Sequence, residues 1–304
     1  MVMKLRSFLL VSLLGLPFSA LSAQWLVGFA QDTLGNDWRL KQVEEVRAVL
    51  ESHPDVEFVV TDARGEVSLQ ARQIRQLVDR GIDLLITSPR DQVILGQVIR
   101  QVHEQGIPVI LLSRTIEGEG YTSLVTANNT AIARQAGEYL AEQLAGQGRV
   151  LMLEGVAGAS TTQARSQGFL QVMAEYPGIQ VVTRTANYLR ADAIQVLRHL
   201  LSQGESFDAI YAHSDSMATG ARMALTQAGL DPADLLIVGI DYIAEAREAL
   251  LAGEQDLSFT YPTGGHEGAL LALEILEGGK VPARVELETQ AVTPELAETL
   301  EPIF

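Results

Sequence analysis

The stretch Ile107-Pro108-Val109-Ile110-Leu111-Leu112-Ser113-Arg114 reads as a buried parallel strand, with Pro108 opening an unbroken apolar run and a polar pair closing it. A strand of an open parallel sheet is covered by helices on both faces, so it is apolar throughout and turns polar only at its carboxyl end. Open α/β sheets meet their ligands at that end. Ser113 and Arg114 are therefore candidate ligand contacts.

The same grammar of apolar strand, polar tip and helix recurs on both sides of this stretch. Upstream, strands at 25–30, 56–60 and 83–89 alternate with helices from Asp37 to Ser52, from Ser68 to before Gly81, and from Val93 to Gln105. Asp37 and Ser68 have the side chains expected of N-caps. Downstream, a short strand at 121–125 runs into Thr126-Ala127-Asn128-Asn129, read as a crossing between domains, with an asparagine cap before a helix at 131–144. Strands at 149–153, 179–183, 207–212, 235–239, 257–261 and near 285–290 then alternate with helices at 162–175, 192–202, 216–228, 243–251 and 265–277, and a closing helix starts near Pro294. Such alternation signals βαβ units and parallel sheets.

At 304 residues the chain exceeds the usual size of one domain. Its first 23 residues are of another kind: Lys4 and Arg6, an apolar run from Phe8 to Leu16, then Ser19, Ala20, Ser22 and Ala23. That is the pattern of a secretory signal peptide, too short for a membrane span, and it places the mature protein in the periplasm. The chain has no cysteine, which excludes a lipid anchor, disulfides, thiolate metal sites and cysteine nucleophiles. The formal charge is −16, and without Lys4 and Arg6 the count is 20 basic against 38 acidic residues, or −18. A surface this acidic argues against nucleic acid, whose phosphates need a cationic footprint.

Catalytic and cofactor motifs fail one by one. His213-Ser214-Asp215 holds triad residue types, but sequence neighbours cannot converge as a triad must. No G-x-S-x-G elbow exists. His103-Glu104 and His266-Glu267 lack a second zinc histidine, since Ile107 and Leu270 stand there. No lysine sits in a Walker loop, and Gly155-Val156-Ala157-Gly158 lacks the dinucleotide spacing. No enzyme, cofactor or metal is expected.

What remains is a set of polar and aromatic residues at strand ends and the helix starts behind them. They are Asp32, Asn36, Trp38, Arg39, Ser113, Arg114, Arg165, Asn187, Tyr188, Ser214, Asp215, Asp241, Tyr242 and Tyr261. Arginines and carboxylates present planar forks that pair adjacent hydroxyls, and aromatic faces pack on the C–H side of a sugar ring. Drawn from both halves of the chain, the set describes a sandwiched polar ligand. Singly, Asp215 and Asp241 also suit helix caps, and Tyr261 the core.

Gly28-Phe29-Ala30-Gln31 followed by Trp38-Arg39, the Ile107–Arg114 stretch, Tyr211 to Ala221 and Ile237-Val238-Gly239-Ile240-Asp241 resemble the periplasmic sugar-binding proteins of bacterial ABC transporters. The likeness is to the ribose-binding type, above all its galactofuranose-binding branch, and covers the whole mature chain in order. It implies a type I periplasmic binding protein: α/β, two Rossmann-like lobes with parallel sheets, joined by three crossover segments around a cleft. The lobes would be 24–126 plus 261–288 and 127–260 plus 289–304. It further implies a monomer that takes a monosaccharide or polyol and delivers it to an inner-membrane ABC permease. The same fold can instead report its ligand to the periplasmic domain of a histidine kinase or chemoreceptor. Sugar-responsive repressors share the core but carry a DNA-binding headpiece where this chain has its signal peptide.

Carried over by position, the family's ligand contacts fall on Trp38, Arg39, Arg114, Arg165, Tyr188 and Asp241. The chain departs from the pattern at two of the contact positions. The family usually has Asp-Arg where Ser113-Arg114 stands, and Asn-Asp where Ser214-Asp215 stands. A hydroxyl in place of a carboxylate removes a bidentate acceptor, and Ser for Asn removes a donor–acceptor pair. Both shorter side chains also leave room, so a changed ligand is expected: a different or larger sugar, or something other than a plain sugar. The stretch Tyr261–Gly268 departs from the pattern as well.

Overall fold

The structure is a computed structural model and describes residues 24–304. The expected signal peptide lies outside the described residues. The first half winds as β1 (Trp25–Gln31), α1 (Asp37–Leu50), β2 (Val56–Asp62), α2 (Val67–Asp79), β3 (Leu84–Thr87), α3 (Ile94–Glu104), β4 (Val109–Leu112) and β5 (Ser123–Ala127). The second contains α4 (Asn129–Gln143), β6 (Gln147–Glu154), α5 (Ser160–Met173), β7 (Gly178–Thr185), α6 (Arg190–Ser202), β8 (Ala209–Ala212), α7 (Asp215–Gln227), β9 (Leu236–Val238), α8 (Ala244–Ala252) and β10 (Ser258–Phe259). The chain ends in α9 (Gly265–Leu276), β11 (Arg284–Leu287), β12 (Ala291–Val292) and α10 (Pro294–Ala297).

Two parallel sheets result, one ordered β11-β5-β4-β3-β1-β2 and the other β7-β6-β8-β9. Parallel bridges from Val238 to Leu257 and from Asp241 to Thr260 lengthen the second sheet. The chain leaves the first sheet after β5 and returns after β10, so that α9 packs on α1. It leaves again after β11, so that β12 pairs antiparallel with β10. These three passages join the two lobes.

Alternation of side chains along each strand builds the layers. In the first lobe Leu84, Ile86, Ile110 and Leu112 face α1 and α9, while Leu85, Val109 and Leu111 face α2 and α3. In the second, Val150 and Met152 join the core with α4 and α5, and Leu151 and Leu153 the core with α6 and α7. All of these strand residues are fully buried, which is why their strands carry no polar interruption.

Two expected caps move. Asn36, not Asp37, caps α1: its backbone is extended and its side chain accepts from the Arg39 amide, while Asp37 already occupies the first turn. α2 starts at Val67 behind an extended Glu66, which makes no side-chain cap, so Ser68 lies inside the helix. Asn128 caps α4 as read, accepting from the Ala131 amide.

Candidate functional site

The carboxyl ends of both sheets face one cavity, the position at which open α/β sheets meet their ligands. From the first lobe come Asp32 behind β1, Asn36, Trp38 and Arg39 at the start of α1, Arg90 behind β3, and Ser113 and Arg114 behind β4. Arg165 and Thr161 on α5, Asn187 and Tyr188 behind β7, Ser214 behind β8 and Asp241 behind β9 come from the second lobe, and Tyr261 from a crossing segment.

Contacts between the lobes close the cavity. Asn36 Nδ2 donates to the Tyr188 carbonyl at 2.8 Å, the Gln92 amide to the Gly158 carbonyl at 3.0 Å, and the Thr115 amide to Ser160 Oγ at 2.9 Å. Trp38 Nε1 donates to the Tyr261 carbonyl at 3.0 Å, which anchors the indole.

Asp32 organises the charges of the first lobe. It is fully buried, and its Oδ2 accepts from Arg114 Nη1 at 2.7 Å. Arg39 Nε lies 3.5 Å from its Oδ1, and Arg90 Nη1 3.7 Å from its Oδ2. Burial pushes the carboxyl up, but Arg114 first and then Arg39 and Arg90 outweigh it, so it stays below the usual carboxylate range. Arg39 is brought down to about 10, by burial and then by Arg114, and remains charged at neutral pH. Its Nη1 is held by Gln42 Oε1 at 3.1 Å and Ser88 Oγ at 2.7 Å.

Arg165 occupies the other wall. Nε donates to Asn129 Oδ1 at 2.8 Å and Nη1 to the His213 carbonyl. Its guanidinium lies 4.6 Å from the Tyr261 ring and 5.8 Å from that of Tyr188, within reach of cation–π attraction. Tyr261 is held by Asn129 Nδ2 at 3.1 Å and Ser113 Oγ at 3.4 Å. Tyr188 OH meets Thr162 Oγ1 at 2.9 Å and Thr161 Oγ1 at 3.2 Å. Asp241 is buried; burial pushes its carboxyl well above the ordinary value, Arg165 opposes the shift and Asp215 adds to it.

The backbone supports the side chains at a cost. Ser113, Asn187, Tyr188 and Asp241 have φ of +66°, +53°, +62° and +121°, in the region that favours glycine. Such conformations cost on the order of 1–3 kcal/mol each and gather at ligand sites.

Of the fourteen candidate residues at strand ends and helix starts, twelve line this cavity; Tyr242 does not, and neither does Asp215. Its carboxylate is fully buried behind Ser214 and accepts from the Tyr242 amide at 2.7 Å, Gln255 Nε2 at 2.8 Å and Ser258 Oγ at 2.6 Å. A Cβ on Gly239 would stand 1.9 Å from its Oδ1. It ties the start of α7 to the loop behind β9 and to the segment entering β10, and leaves no oxygen for a ligand. Ser214 serves twice, lining the cavity and capping α7 through the Met217 amide at 3.3 Å. Reading the sequence missed Arg90, Thr161, Thr33 and Val156. Arg90 follows the polar tip Thr87-Ser88-Pro89, so the strand-end rule could have found it.

Among the described residues no group of three or more His, Asp or Glu side chains is placed to hold a metal ion. No helix among them is long and apolar enough to cross a membrane.

Residues 27–280 match the model of the periplasmic binding protein domain. The chain is 32% identical over 202 residues to a xylitol-binding protein of Mycolicibacterium smegmatis, covering 66% of this chain and 57% of that protein's length. It is 28% identical to the ribose import binding protein of Bacillus subtilis, over 88% of each chain. The structure superposes on the fructose-binding periplasmic domain of a hybrid two-component system with a TM-score of 0.84, at 30% identity, over 90% of this chain and 92% of the other. The chain belongs to the periplasmic binding protein family, of the type I sugar-binding kind.

Proposed function

We propose that the protein captures a small sugar or polyol between its lobes in the periplasm and delivers it to an inner-membrane ABC permease, without turnover and as a monomer. The observation that carries this is the cavity itself: buried arginines and a carboxylate face aromatic rings across an interface between two sheets' carboxyl ends. Closure of two lobes around a ligand excludes water and strengthens each polar contact. Trp38, Arg39, Arg114, Arg165, Tyr188 and Asp241 would touch the ligand, with Asn36, Ser113, Asn187, Ser214 and Tyr261 completing the wall. Relatives that bind ribose and xylitol support the ligand class.

A thermal-shift screen against pentoses, hexoses, polyols and their acids tests the reading, since a ligand of the folded state raises the melting temperature by mass action. The expected result is a shift that Arg114→Ala abolishes; no shift with any compound would refute it. The likeness to a sensor's fructose-binding domain favours a second reading, in which the bound form docks on a kinase. Deleting the gene separates the two: loss of ligand uptake marks transport, and loss of a ligand-dependent transcriptional response with uptake intact marks sensing.

A further inference from the structure

The cavity is cationic inside an acidic chain. Its charged lining is Arg39, Arg90, Arg114 and Arg165 against Asp32 and Asp241, two positive charges in excess even with both carboxylates ionised. The whole chain, by contrast, carries −16. Asp32 is already spent on Arg114, Arg39 and Arg90. Among the described residues Arg165 has no carboxylate within ion-pair distance, although Asp241 lies near enough to act on it; its bonds go to a neutral amide and a backbone carbonyl.

The arginines also keep donors free. Arg114 Nε is buried without a partner. Nη2 of Arg39, Arg114 and Arg165 has no hydrogen bond to any described protein atom. Ser113 stands where the family pattern has a carboxylate, and its hydroxyl cannot balance any of this charge. Taking guanidinium groups out of water is costly unless opposite charge and acceptors face them. A neutral sugar offers hydroxyl oxygens but no charge.

We propose, building on the reading of this cavity as a sugar or polyol site, that the ligand is a hydroxylated molecule of monosaccharide size carrying an anionic oxyacid group, held by Arg39, Arg114 and Arg165. A carboxylate matches the planar fork of a guanidinium, and a phosphate ester shares that chemistry. Ser113 is then a specificity determinant: an aspartate there would face the anion.

Calorimetry on the purified protein tests this with matched sets, each an aldonate or uronate, the corresponding sugar phosphate, and the neutral sugar or polyol of the same configuration. In the set that binds, an anionic member is expected to bind at least tenfold more tightly than the neutral one, and the acid and phosphate arms tell which group the site takes. Ser113→Asp should erase or reverse that preference. Arg90→Gln, which removes a cavity-lining charge 3.7 Å from Asp32, should weaken the anionic member several-fold more than the neutral one. A neutral member that binds as tightly as its acid overturns the anionic ligand and leaves the sugar-binding reading standing. No binding by any member overturns both.

Discussion

Replacing Asp32 by asparagine removes the only carboxylate, among the described residues, within ion-pair distance of Arg114, Arg39 and Arg90, at 2.7, 3.5 and 3.7 Å. Asparagine keeps the shape and one acceptor oxygen but not the charge, so Arg39 and Arg114 are left buried against each other. Removing one partner of a buried ion pair costs about 3–5 kcal/mol, and the retained acceptor places this variant near the lower end, about 3 kcal/mol. For a protein of this size that is a fall in melting temperature of roughly 6–12 °C. Asp37→Asn is the control: its carboxylate, 63% exposed, lies 3.7 Å from Arg190, and such a surface pair is worth about 0–1 kcal/mol. The pH dependence has a fixed sign. The arginines hold the Asp32 carboxyl below 3.8, so its contribution is full above that pH and is lost as pH falls through the folded value. Thermal melts at pH 7 should show the full gap between Asp32→Asn and wild type, and melts below pH 3.8 a shrinking one. A variant that melts within 2 °C of wild type at pH 7 would refute the claim that Asp32 anchors the arginines.

Three further outcomes follow from the same geometry. Asp215→Ala orphans the Tyr242 amide and Ser258 Oγ and leaves Gln255 Nε2 with only the Leu257 carbonyl. At about 1–3 kcal/mol for each buried donor, the denaturation midpoint should drop by more than that of any single cavity arginine at the rim. Gly155→Ala puts a Cβ 2.0 Å from the Tyr188 ring, so Tyr188 must move and ligand affinity should fall about tenfold, measured by calorimetry. Asp241 has a raised folded pKa, so the wild type gains most from it below 3.8 and loses that stability as pH rises through the folded value. Asp241→Asn should therefore melt higher than wild type at neutral pH, with the gap closing toward pH 4, even as it binds ligand less well.

The fold was legible because burial on both sides of a parallel sheet leaves a local mark. Val109 to Leu112 and Leu84 to Ile86 are unbroken apolar runs for the same reason that they are fully buried. The site was legible in part because ligands gather at strand ends, which located Arg114, Tyr188 and Asp241 without any three-dimensional information. The same rule misplaced Asp215, since its three partners are supplied by residues 27 to 43 positions further along the chain. A carboxylate consumed inside a core and one offered to a ligand look alike in sequence. The role of Asp32 was hidden likewise, because Arg39 reaches it from the start of α1 and Arg90 and Arg114 from two separate loops. The surplus of cavity arginines becomes visible only when those segments are brought together.

The most direct test of the account is a crystal structure of the protein with a ligand shown to bind by calorimetry. The account predicts the ligand enclosed between the lobes, with oxygens within hydrogen-bond distance of Arg39, Arg114 and Arg165 and a face against Trp38 or Tyr188. A ligand bound elsewhere, with the space between those arginines holding only water, would contradict it.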